Sequence, residues 1–170
     1  MNQYELALSI NKKALATLTR ILEKAEALQQ EKEITEEDIL RASLAGDMFS
    51  FKKQIQVATD DIRRNLLLLA GKEHVPFEDT ETTLQELKGR VKRTEEVISV
   101  LSKEDFDGAD DRHISLYWMG GAYTLGKDFI QEFVVQNTQF HVVTAYDIIR
   151  HLGGTIGKVD FIGAMTMHQP

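Results

Sequence analysis

Four stretches of this chain repeat apolar residues at steps of three and four over at least five turns each. In the first, from Tyr4 to about Gln30, Leu8, Leu15, Leu18, Leu22 and Ala25 recur with lysines and glutamates between them. The second runs from about Phe49 to Ala70, holds Phe51, Ile55, Ala58, Ile62, Leu66 and Leu69 on one side, and stops at Gly71. The third, capped by Asp79 or Thr80, carries Leu84, Leu87, Val91, Thr94, Ile98 and Leu101. The last covers about Lys127 to Leu152 and ends at Gly153 and Gly154. This is the rhythm of helices with a single apolar stripe. Four such stripes are hidden together most simply in an up-and-down four-helix bundle, so the spacing predicts an all-α fold in one domain spanning residues 1–170.

Smaller features fit around that frame. Thr35 followed by Asp38 resembles a cap for a short helix from Glu36 to about Ser43. Between Asp105 and Leu125 the period turns from helical to alternating, and Gly120-Gly121 sits between two short apolar runs. That pattern predicts a small β-hairpin before the last helix, with Trp118 facing Tyr123 and Leu116 facing Leu125. Ile156, Val159, Phe161 and Ile162 form a tail expected to fold back along the body.

Composition narrows the functional classes. The chain has 170 residues, of which 42% are hydrophobic; a chain of this length buries roughly 70% of the surface its unfolded form exposes. A formal net charge of −7 argues against a nucleic-acid partner. The densest basic run, Lys88 to Arg93, falls on a helical pattern and reads as a solvated face. With no cysteine there is no thiolate nucleophile and no sulfur-held metal. The first residues lack a signal pattern or a membrane-length apolar run, which points to a cytoplasmic protein with no membrane partner.

The last helix is the odd one. At ~100° per residue, Ile130, Val134, Asn137, His141, Ala145, Ile148 and Leu152 share one sector, with Thr144 beside it. Asn137 and His141 thus point inward, where a polar group without a partner costs about 1–3 kcal/mol. Gln54, Thr59 and Thr94, on or flanking the inward faces of other helices, can satisfy them. Three readings of His141 follow: a neutral core histidine that fixes helix register, part of a small-molecule pocket with Asn137, Thr144, Gln54 and Thr59, or a metal ligand. His74, His113, His151 and His168 are expected at the surface. The acids Asp60, Asp61, Glu78, Asp79 and Glu81 offer general-base or metal-binding oxygens, although those near the start of the third helix are accounted for by its dipole. Phe133 and Phe140, beside the stripe, suit a homodimer seam.

The segments ILEKAEAL (Ile21 to Leu28), GDMFSFKKQIQVATD (Gly46 to Asp60), FEDTETTLQEL (Phe77 to Leu87), NTQFHVVTAYDIIRHLG (Asn137 to Gly153) and GKVDFIG (Gly157 to Gly163) carry a further signal. Together they resemble a domain-of-unknown-function family of bacterial and fungal proteins among the DinB/YfiT-like helical bundles. That resemblance implies a four-helix bundle of DinB-like topology, in a superfamily that includes candidate metalloenzymes and thiol-dependent transferases. In its metal-binding members three histidines, one on the second long helix and two spaced four apart on the last, surround a divalent ion. Here only His141 carries over, because Ala145 stands four residues on and the helix from Phe49 to Ala70 has no histidine. The functions implied are a ligand-binding domain with a polar core pocket, or a metal-dependent hydrolase or transferase with a degenerate histidine site.

Overall fold

A computed structural model describes residues 2–168. Helix α1 (Gln3–Glu31) opens with a capping box in which Asn2 and Glu5 exchange backbone-to-side-chain hydrogen bonds, each 2.8 Å. The short α2 (Glu36–Arg41) is capped by Thr35. Ser50 caps α3 (Phe51–Leu69), and Gly71, at φ 65°, ends it with the Lys72 N–H bonded back to the Leu67 carbonyl. Thr83 and Glu86 form the box that starts α4 (Leu84–Ser99).

After two short 3₁₀ turns, strands β1 (His113–Ile114) and β2 (Thr124–Leu125) pair antiparallel. The last helical rod begins as α5 (Gly126–Phe129), passes through a π turn at Ile130–Val134, and continues as α6 (Val135–His151). The tail forms α7 (Lys158–Ile162) against α1. In the bundle α1 and α3 each pack on both α4 and α6 and lie across the diagonal from one another. Leu15, Leu18, Ile21, Leu22, Ile55, Ile62, Leu66, Leu87, Ala145 and Ile149 fill the centre.

The hairpin differs from its expected form. His113 faces Leu125 and Ile114 faces Thr124, while residues 115–123 make a loop with a 3₁₀ turn at Tyr117–Met119. A lone two-stranded ladder is marginal in water. Leu116 is buried, and Trp118 packs on Phe133 of the last rod, ring centroids 5.7 Å apart, rather than across the strands on Tyr123. His113 takes the Tyr123 ring instead, at 3.8 Å.

A second difference concerns the charged residues around α4. The basic run Lys88 to Arg93 is not a solvated face throughout, because Arg90 is fully buried. Its Nε donates to Thr59 at 2.9 Å and its Nη1 to Glu81 at 3.1 Å, while Nη2 lies 2.9 Å from Asp60 and 3.0 Å from Asp79. Glu81, also buried, accepts from Gln56 at 3.0 Å. These charges hold the segment before α4 extended, so the helix starts under Thr83 and not under Asp79 or Thr80. The acids Glu78, Asp79 and Glu81 therefore precede the first turn, and ion pairing rather than the dipole accounts for Asp79 and Glu81.

Arg63 lies on the Phe77 ring, 3.5 Å from its centroid, pairs with Asp60 at 2.9 Å, and places Nη2 3.2 Å from His74 Nε2. His74 is thus half-buried, unlike the exposed His113, His151 and His168. Removing one partner from a buried ionic group leaves the others unpaired and desolvated. Arg90→Ala is accordingly expected to lower the unfolding free energy by about 3 kcal/mol in urea denaturation. A loss under about 1 kcal/mol would place the cluster with ordinary surface pairs.

Candidate functional site

Helix α3 presents two adjoining rows. The apolar row, Phe51, Ile55, Ile62 and Leu66, enters the core. The second row, Lys53, Val57, Asp61 and Arg64, recurs at three- and four-residue steps with Gln54 beside it, so its polar members share a flank. That flank meets α6 at Asn137 and His141, and the two helices together with Trp118 and Tyr117 of the 115–123 loop bound a cleft of about 390 Å³. Phe49 and Phe133 complete its aromatic walls. The π turn that carries Phe133 is a widened turn of the last rod, a feature found often beside functional sites.

His141 is 6% exposed and its hydrogen bonding follows from its neighbours. The Gln54 Nε2 donates to the Phe49 carbonyl at 3.2 Å, which turns the Gln54 Oε1 toward His141 Nδ1 at 2.7 Å. An amide oxygen only accepts, so Nδ1 carries the ring's hydrogen and a neutral imidazole leaves Nε2 as a bare acceptor. Burial lowers the His141 pKa from its ordinary value and favours that neutral form. The ring lies between Phe49, centroids 6.4 Å apart, and the edge-on Phe140 at 5.3 Å.

Across from Nε2, at 3.9 Å, is the Oδ2 of Asp61. The Asp61 Oδ1 accepts from Arg64, and Oδ2 accepts from the Asn137 side-chain amide. Burial raises the Asp61 pKa, an effect opposed by Arg64 and by the Asn137 hydrogen bond. The polar floor of the cleft is therefore a chain of partners, Phe49 carbonyl to Gln54 to His141 on one side and Arg64 to Asp61 to Asn137 on the other. Two acceptors meet in the gap between them.

Of the residues singled out in the sequence, Gln54, Asp61, Asn137 and His141 come together here. Thr144 is buried, but its hydroxyl donates to the Phe140 carbonyl of its own helix at 2.7 Å. Thr59 bonds within α3 and to Arg90, on the side of the ionic cluster. The buried arc of α6 is centred nearer Thr138, Val142 and Ile149 than the sector through Asn137, because α6 packs on α1 as well as α3. Thr138 donates to Asn11 of α1 at 3.3 Å. Phe140 is 56% exposed.

Sequence reasoning did not find Lys53, Arg64 or Tyr117. The polar spacing along α3 was the available signal for the first two; Tyr117 had none, since only the loop's three-dimensional course brings it to the cleft. The donor set does not fit a divalent ion held by histidines. Ala145, a buried methyl, follows His141 by one turn, and among the described residues no group of three or more histidines, aspartates or glutamates is placed to hold a metal.

The fold and cleft define a helical bundle of the DinB-like class with a polar floor between its second and last long helices. Residues 3–162 match the family described as a domain of unknown function, DUF1993, and the chain belongs to that family. The crystal structure of a DinB family member protein from Shewanella denitrificans is similar over 100% of both chains, with a TM-score of 0.94 and 33% identity. No match to a curated protein was found. Among the described residues no helix is long and apolar enough to cross a membrane.

Because the folded His141 takes up a proton at lower pH than the free side chain, the unfolded chain binds more protons in the window from that lowered value up to about pH 6.5. Stability rises with pH through this window and levels off above it. Melting temperature measured from about pH 7 down to about pH 5 should fall less steeply in His141→Gln than in the wild type. Some slope should persist from His74, whose pKa is also lowered, by burial and then by Arg63. Equal slopes would contradict the assignment of a buried neutral His141.

Proposed function

We propose that this protein is a small-molecule-binding DinB-like domain whose ligand occupies the cleft between α3, α6 and the 115–123 loop. The observation that carries the reading is His141. Its Nδ1 is committed to Gln54 at 2.7 Å, and its Nε2 lies 3.9 Å from Asp61 Oδ2, beyond direct hydrogen-bond reach. A core histidine kept only to fix helix register usually has its nitrogens turned to other helices rather than to an open cleft. Here one is answered, and the other faces a cleft whose walls are aromatic and whose floor is polar, the usual composition of a small-molecule site.

The reading supports recognition rather than chemistry. Among the described residues, the side-chain groups placed at His141's ring nitrogens are Gln54 and Asp61 rather than a serine, threonine or lysine nucleophile, so in this reading the imidazole acts as an acceptor that orients what enters. A thermal-shift screen against metabolites and divalent metals tests this directly. A ligand present at 100 times its dissociation constant stabilises the native state by about 2.7 kcal/mol. His141→Leu is expected to remain folded and to lose at least nine-tenths of the wild-type shift for the ligands found. Retention of the full shift by that variant would remove the cleft as the site.

A further inference from the structure

We propose that the ligand presents a primary amino group, seated between His141 Nε2 and Asp61 Oδ2. The inference rests on the cleft being a ligand site and adds the chemistry of what is held there.

The two atoms are both acceptors, and they face each other at 3.9 Å. That distance is too long for a direct hydrogen bond and suits one donor group seated between the two atoms. A donor placed about 2.9 Å from each acceptor sees them at roughly 85°, close enough to the angle between two hydrogens on one nitrogen for two bent hydrogen bonds. A hydroxyl carries one hydrogen and answers one acceptor. A quaternary ammonium carries none. A primary ammonium answers both and keeps a third hydrogen for another partner. Water meets the same demand and is the species that the ligand's nitrogen displaces.

The surroundings suit an amino group on an organic body. Lys53 is matched by Asp79 at 2.6 Å, and Asp60 is matched by Arg63 and Arg90, each at 2.9 Å. Arg64 occupies only Oδ1 of Asp61, which leaves Oδ2 to Asn137 and to the incoming group. Phe49, Tyr117, Trp118 and Phe133 supply ring faces for the carbon skeleton and for cation–π attraction.

Three probes of similar shape separate the possibilities: benzylamine, benzyl alcohol and benzyltrimethylammonium. Trp118 is the chain's single tryptophan and lines the cleft, so its fluorescence reports occupancy, and the His141 ring nitrogens report contact by nitrogen NMR. The expected result is binding of benzylamine at least tenfold tighter than either analogue, with a shift of the His141 Nε2 resonance. Asp61→Asn and His141→Gln should each remove the preference while circular dichroism confirms the fold. Equal affinities for the amine and the alcohol would overturn the amine proposal and leave the ligand-binding reading standing. So would ligands of other chemistry emerging from the screen while benzylamine fails to bind. Loss of every ligand response, with an unmoved His141 signal, would overturn both.

Discussion

The hydrogen bond between Gln54 and His141 ties the two helices that form the floor of the cleft, and the backbone sets its direction. The Phe49 carbonyl lies just ahead of α3, at the position where a chain entering a helix still has acceptors to spare, and it claims the Gln54 amide nitrogen. The amide oxygen is then turned to α6, the tautomer of His141 is fixed, and the second ring nitrogen is exposed to Asp61. Each step follows from the one before it. Reversing the Gln54 amide would set its oxygen against the Phe49 carbonyl, two acceptors with no hydrogen between them, so the amide has one favoured orientation.

The ionic cluster adjoins the cleft along α3, since Asp60 belongs to both and Lys53 of the cleft pairs with Asp79. Asp60 and Asp61 are neighbours in sequence and point to different tasks: Asp60 joins Arg63 and Arg90, while Asp61 turns to Arg64, Asn137 and the cleft. Phe77, with Arg63 stacked on it, holds the segment before α4 to the body. Desolvation of so many charges is costly in itself. What the cluster secures is position, since its carboxylates share guanidinium partners across α3, α4 and the segment before α4, and α3 cannot rotate without breaking several pairs at once.

Much of this was legible in the sequence. Periodicity located the four long helices and the inward direction of His141, because burial of an apolar stripe is a local property that spacing records. Gln54 could be named as a neighbour because it flanks the same face of its helix. Arg90 could not, since its burial depends on Thr59, Asp60, Asp79 and Glu81, which approach it only after folding, and a lysine- and arginine-rich run is solvated in most helices. The hairpin register failed for a related reason. Leu116 and Trp118 gain more from the helical body than from each other's strand, and alternation alone cannot weigh those two outcomes.

The two sides of the cleft are built from elements of unequal firmness. Its floor stands on α3 and α6, whose backbones are locked by the bundle, whereas Tyr117 and Trp118 ride on a nine-residue loop closed by a ladder of two residue pairs. Local opening costs least where few backbone bonds must break. The seat of the cleft is thus set by packed helices, while its doorway is held by the ladder and by the anchoring of Leu116 and Trp118 on the body.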